Sequence, residues 1–541
     1  MSRSNGAALG AFLLAVMLLL AGVTLAKDGF YIARHEGDTL HLTQMVLRMA
    51  SGEWPHLDFQ TPIGVLAMAP IALFVKLGWG IGHSLLLSQV LVAVVALPAI
   101  WWVAVSRFTP LWGAVFGGFS LVVILALVHG ETDFTVYFSM HYNRWAWALS
   151  FLAIALAVLP AQGPKSAVAD GVVIGLTLAA LVLIKVTYAV AFLPPILVAL
   201  VALRAWRTIW VGALAGLALA AVITLAVGTP MFWLAYLRDL ATVAGSDVRP
   251  QPGLGWPAIL SAPAFLGGNL VAVGAVILLR HAGQMRAGLV LLLLLPGFAY
   301  VTYQNFGNDP QWIGLVGLML VMLEPAREIR NAMGWNVTKG IGLAAVACFA
   351  FAAPSALNLI YSPFRHLKVD TAEYTPILPG SGVHEDLYTL ALWTRRVDGM
   401  VALDGPDSAF AAYTDPQARD DISTGFRGET LPVCAIDVGM VAWFRAISDD
   451  LKASGLADGT SAFVADILSS YWLYGAFEPL KHGAPWYYGG LPGFGNADYL
   501  LVPLCPLSPR VRKQVLEAVD AAGVELDEVR RTETYILFAI R

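Results

Sequence analysis

The chain has 541 residues, 58% of them hydrophobic and only 13% charged, with a mean hydropathy of +0.69. Soluble domains are about half apolar and about a quarter charged, so this balance excludes an ordinary soluble protein and indicates one embedded in a membrane. A formal net charge of −4 argues against a nucleic-acid partner, and three cysteines are too few for a disulfide framework.

The first apolar run, "ALGAFLLAVMLLLAGVTLA" (8–26), is long enough to cross a bilayer core of ~30 Å at about 1.5 Å per residue. We read it as an uncleaved anchor rather than a signal peptide, because further spans follow with no secreted domain first. The polar stretch "HEGDTLHLTQMVLRMASGEWPHLDFQTPIG" (35–64) comes next. Asp38 is expected to cap a helix starting at Thr39. Leu42, Met45, Val46 and Met49 form one apolar face of it, His41 and Arg48 gather on another, and Gly52 ends it. Such a helix would lie on the membrane surface with a carboxylate at its N-terminus. The run 62–82 contains Pro70 and Lys76 and is expected to lie along the interface rather than span.

Further apolar runs occupy 84–105, 111–129, 145–160, 167–184, 186–203, 209–228, 257–279, 287–303, 312–323 and 341–361, making about eleven spans in all. With 62–82 at the interface, the basic loops "SRFTP" (106–110), "AQGPKS" (161–166), "RAWRT" (204–208), "RHAGQMR" (280–286) and "EPAREIR" (324–330) share one side with Arg3. Positive loops face the cytoplasm, so the N-terminus does too. The opposite side receives 27–61, "ETDFTVYFSMHYNR" (131–144), 229–256, 304–311 and the C-terminal segment.

Residues 362–541 are far less apolar and are expected to form an external soluble α/β domain. "TSAFVADIL" (460–468), "ADYLLVPLC" (497–505) and "TYILFAIR" (534–541) read as buried strands. "SPRVRKQVLEAVDAAG" (508–523) reads as a helix with Ser508 as cap, Pro509 in its first turn and Gly523 as its stop. Cys434 and Cys505 are either paired or buried as free thiols. The aromatic and glycine-rich "WYYGGLPGFG" (486–495) is expected to pack this domain against the membrane part.

The stretch "GDTLHLTQMVLRMASGEWPHLDFQTPIG" resembles the first external loop of the GT-C superfamily of polyprenyl-phosphate-sugar glycosyltransferases, in which an acidic pair, a short helix, a turn and a Pro-led interfacial run follow one another. Glu131 and Asp133 fall where that superfamily has its second acidic external loop, and Lys185 in "GLTLAALVLIKVTYAVAFLPP" (175–195) falls at the turn of a lysine-bearing span pair. The likeness covers roughly residues 1–361, the expected transferase domain. Two departures stand out. The acidic pair is spaced as "EGD", with Glu36 and Asp38 around Gly37, which weakens the case for a metal. Thr61 stands where aminoarabinose transferases carry lysine, which argues against that sugar.

The resemblance implies an inverting transferase in a bacterial inner membrane, moving a sugar from a polyprenyl-phosphate donor to a hydroxyl of an envelope glycan, lipid or protein on the periplasmic side. Such a reaction needs a base for the hydroxyl and positive charge for the departing phosphate. Asp38 is the expected base, with Glu36 beside it. Glu131 and Asp133 would orient the acceptor or, with Asp38, hold Mg2+ or Mn2+. Arg144, Lys185, Arg48 and His56 are candidates for the donor phosphate, with Arg34 and His141 behind them. Two other readings compete. A transporter or flippase of lipid-linked sugars should carry ionisable groups mid-span on several helices. A non-catalytic assembly protein should tolerate loss of Asp38.

Overall fold

The computed structural model describes residues 3–130, 133–248, 255, 257, 262–304, 309–401 and 423–541. Among the described residues, seven helices are long and apolar enough to cross a membrane: Asn5–Leu25, Ile81–Arg107, Ala167–Ala202, Trp206–Val227, Pro263–His281, Met285–Tyr303 and Val337–Leu367. Two shorter apolar helices, Pro110–Leu125 and Trp312–Leu323, lie among them, as does His141–Val158, which opens on the polar turn His-Tyr-Asn-Arg.

Ala167–Ala202 is not one rod. A straight helix of its 36 residues would be about 54 Å long. Yet a Cβ on Gly171 would lie 2.7 Å from the carbonyl of Thr208, only six residues past its other end. The chain must therefore turn back on itself, and it does so at Lys185, whose φ of −155° and ψ of 102° are non-helical. The returning half leads into Trp206–Val227, which packs closely on 167–184. Gly171 and Gly175 of one helix face Gly212 and Gly216 of the other, and a Cβ on Gly175 would come within 2.1 Å of the Gly212 carbonyl. Small residues four apart let helix backbones approach to this distance, which is how spans associate when lipid is as apolar as leucine.

The run 62–82 is broken into a 3-10 turn at Val65–Ala67 and an eight-residue helix, Ala69–Lys76. Eight residues reach about 12 Å, too short to span.

Contacts separate the two ends of the bundle. At one end the Ser106 carbonyl accepts from the N–H groups of Gln162 and Gly163, Arg107 pairs with Asp170, and Gln284 donates to the Leu323 carbonyl. The basic loops 106–110, 161–166, 204–208, 280–286 and 324–330 thus gather together. At the other end Gly64 donates to the Ile184 carbonyl, His141 Nε2 lies 2.8 Å from the Ala67 carbonyl, and Arg365 donates to the Phe134 carbonyl.

The C-terminal part is joined to this second end. A four-stranded sheet runs in the order Leu526–Arg531, Tyr535–Ile540, Tyr499–Pro503, Ala462–Val464, with only the last pair parallel. The expected strands are there, and Leu526–Arg531 is added at an edge. Ser508 caps Pro509–Ala521 by accepting from the Val511 N–H, and Gly523 follows its end at a φ of 64°. Val511, Val515 and Leu516 of that helix bury against the sheet. A disulfide joins Cys434 and Cys505, whose Cα atoms are 4.9 Å apart, while Cys348 is buried and free. A smaller sheet crosses the boundary expected at residue 361: Phe30–Ile32 pairs in parallel with Leu387–Leu390, which pairs antiparallel with Tyr374–Pro376.

Candidate functional site

The helix Glu36–Ala50 organises the non-basic end of the bundle, and it differs from expectation in two ways. It begins at Glu36, not Thr39, so Asp38 is not its cap. His35 takes that position in a left-handed conformation (φ 61°), and its carbonyl accepts from the N–H of Thr39 at 3.0 Å. Glu36 and Asp38 both stand in the first turn, where the helix dipole favours negative charge. The C-terminal end is as expected: Ser51 caps it, and Gly52 at φ 110° lets the Glu53 N–H reach the Arg48 carbonyl.

The second difference is burial. A surface helix would leave His41, Thr43, Gln44 and Arg48 in water, but all four are buried. The C-terminal domain covers that polar face. Gln44 donates to Ser470 Oγ at 2.9 Å and accepts from Trp472 Nε1 at 2.7 Å, and His41 packs on Trp486. The helix is clamped between the bundle and the outer domain.

The same domain reaches Glu36. Thr389, fully buried on the strand paired with Phe30–Ile32, donates its hydroxyl to Glu36 Oε1 at 3.2 Å. Gly37 lies against Met440 and Leu468, where a Cβ would meet Met440 at 3.1 Å. Burial raises the Glu36 carboxyl above the usual range, outweighing the lowering pull of its own backbone N–H, Thr389 and His35.

Asp133 stands nearby, on the loop that precedes His141–Val158. Burial would raise its carboxyl, but hydrogen bonds from Thr135 and the charges of Arg34 and His35 hold it below the usual range. Arg365, in the last turn of Val337–Leu367, adds charge beside that loop: it donates to the Phe134 carbonyl and to Asn358, which itself donates to the Asp133 carbonyl. Glu131 lies outside the described residues. Among the described residues, no three His, Cys, Asp or Glu side chains gather as a metal site.

The four candidates for donor phosphate are placed very differently. Lys185 sits at the helix break, donating to Asn143 Oδ1 at 2.9 Å and lying over the Tyr142 ring. Arg144 is fully buried and donates to the Val128 carbonyl at 2.7 Å. Arg48 is buried at the far end of its helix, bonded to Glu53 and to the carbonyls of Asp58 and Leu480. His56 is enclosed by Phe232 and Tyr236, with Nδ1 3.0 Å from Asp239, and burial keeps its imidazole pKa below the ordinary value despite that carboxylate. Asp239 also accepts from the Thr61 N–H. Arg48 and His56 thus tie down the turn 51–61 through the partners they already have.

Thr389, Arg365, Asn358 and Asp239 were missed by sequence reasoning. Arg365 carried a usable signal, being the first basic residue after the last apolar run. Thr389 and Asp239 carried none, since their partners at the site, Glu36 for one and His56 and Thr61 for the other, lie more than 170 residues away.

No family model matches the chain, nor does any curated protein. Among solved structures, the crystal structure of ArnT from Cupriavidus metallidurans in the apo state aligns over 99% of this chain and 98% of that chain, with 12% identity and a TM-score of 0.39. No function and no residue role is transferred from it.

Proposed function

We propose that this chain is a GT-C-like glycosyltransferase, which takes a sugar from a polyprenyl phosphate and transfers it to an envelope acceptor hydroxyl. The observation that carries the reading is the first turn of Glu36–Ala50: two carboxylates share a helix N-terminus at the end of the bundle where Lys185 interrupts a membrane helix. In this reaction the acceptor oxygen attacks the anomeric carbon and Asp38 takes up its proton. The sugar–phosphate bond breaks, its electron pair leaves with the phosphate, and inversion follows from that single displacement. Lys185 stabilises the departing phosphate, and Arg144 sets the first turn of the helix beside it. Glu36 and Asp133 orient the acceptor; Asp38 and Asp133 are the residues that would hold a divalent cation, which would supply Lewis-acid stabilisation.

The disulfide and the gathering of basic loops at the opposite end support an orientation with this site and the C-terminal domain in the periplasm, and with about eleven spans and the N-terminus at the cytoplasm.

The test is transfer of labelled sugar from a panel of undecaprenyl-phosphate sugars by purified protein, with envelope extract as acceptor. Transfer by wild type and a loss of at least about a hundredfold in Asp38→Asn are expected. Inhibition by EDTA, reversed by Mg2+ or Mn2+, would assign the cation. If no donor is consumed, or if Asp38→Asn transfers as well as wild type, the reading fails; donor that crosses the bilayer unconsumed would make the protein a flippase.

A further inference from the structure

The basic end of the bundle holds a feature unrelated to the transfer chemistry. A cavity of about 480 Å³ opens where the ends of His141–Val158, Ala167–Ala202, Met285–Tyr303 and Trp312–Leu323 meet. Its walls are apolar, including Val158, Leu159, Leu203, Val290 and Leu323, and one charged side chain, Arg286, stands in its lining. Gln284 beside it is occupied, donating to the Leu323 carbonyl.

The geometry points to this cavity as a binding site for an anionic phospholipid, with an acyl chain between the helices and the headgroup phosphate at Arg286. Three observations carry the assignment. The volume and apolar walls suit hydrocarbon, which water fills poorly. The rim is continuous with a surface that faces lipid, since Met285, Leu289 and Leu292 of the same helix are exposed. Its depth is that of headgroups: Trp206 and Trp210, exposed on the adjoining helix just beyond Leu203, mark an aromatic belt at that level. Arg286 is exposed at that rim, and basic groups between spans on the positive side of a membrane protein bind anionic headgroups through their charge and, for arginine, the forked guanidinium. Such a lipid would wedge the returning half of the broken helix against Met285–Tyr303, far from Glu36 and Asp38.

The full chain reconstituted in an equimolar mixture of phosphatidylcholine and phosphatidylglycerol, then released into mild detergent, reports its retained lipids by native mass spectrometry. Wild type is expected to retain phosphatidylglycerol in preference to phosphatidylcholine. Arg286→Glu should lower that preference by at least about fivefold, the factor one basic residue contributes beside anionic lipid. Ala287→Trp, which fills the cavity, should lower retention of both lipids. Arg330→Ala removes a charge from an exposed loop at the same end and should change nothing. The assignment is overturned if wild type shows no preference, if Arg286→Glu keeps it, if Ala287→Trp retains as much lipid, or if Arg330→Ala acts like Arg286→Glu. None of these readouts depends on sugar transfer.

Discussion

Asp466 shows how far one buried side chain can set the behaviour of the outer domain. Its carboxylate accepts from the N–H groups of Ile467, Leu507 and Ser508, and so holds the chain from the end of one sheet strand to the start of Pro509–Ala521. Those bonds and Arg512 favour the ionised form, yet burial outweighs them and raises the carboxyl to about 6. A carboxyl raised on folding binds more protons folded than unfolded, so its neutral form stabilises. The outer domain should therefore lose thermal stability as pH rises from about 4 to about 6 and change little in this respect above it. In Asp466→Asn that slope should vanish, and in Asp466→Ala stability should fall by about 2–4 kcal/mol, because buried N–H groups lose their acceptor. Unfolding followed by tryptophan fluorescence across that pH range checks both. Thr389 makes the parallel case at the candidate site. Thr389→Val should reduce transfer about tenfold, the order of one hydrogen bond to a charged group, with Thr389→Ser restoring it. Equal activity in all three would show that Glu36 needs no anchor. Glu36 and Asp38 could be singled out as candidates because acids so near an apolar span are costly without a compensating partner or use. Thr389 was not, because one threonine in a short polar strand looks like any other.

At the scale of elements, the break at Lys185 decides the path of the bundle. Gly64 fits against it because it has no side chain: a Cβ there would stand 2.1 Å from the Leu183 carbonyl, which belongs to the unwound turn. Gly64→Ala should cost about 1–3 kcal/mol in thermal stability and displace the loop that carries His141's partner, the Ala67 carbonyl. Gly175→Val should separate the first half of the broken helix from Trp206–Val227 at a similar cost, which unfolding in detergent would measure. The charge of Lys185 in a long apolar run revealed the turn. The close glycine faces remained hidden, since spacing marks a small-residue stripe without naming its partner. The helix Glu36–Ala50 makes the same point in reverse. Its apolar face is written in its own sequence, but its polar face is buried by Ser470, Trp472 and Trp486, more than four hundred residues on.

For the whole molecule, the two ends differ in chemistry, and that difference predicts topology. A cysteine at Lys165, in the exposed loop of the basic end, should be shielded from a membrane-impermeant maleimide in intact cells. One at Lys481, exposed on the outer domain, should react. The reverse pattern would invert the proposed orientation and remove the periplasmic reading of the site. Sequence by itself determined what depends on local composition and period: the membrane class, the apolar runs, the basic sidedness of the loops, the Gly52 and Ser508 signals, and the sheet strands. Those features follow from transfer of side chains between water and lipid, and from backbone preferences, both of which act over a few neighbouring residues. Only the tertiary structure decided that Cys434 pairs with Cys505, that Phe30–Ile32 and Leu387–Leu390 share a sheet, and that Arg48 and His56 are bound by Glu53 and Asp239. The same holds for the outer domain completing the surroundings of Glu36. Each of these joins groups brought together by the path of the chain, and a charge or hydrogen bond acts over ångströms of space, whatever the distance along the sequence.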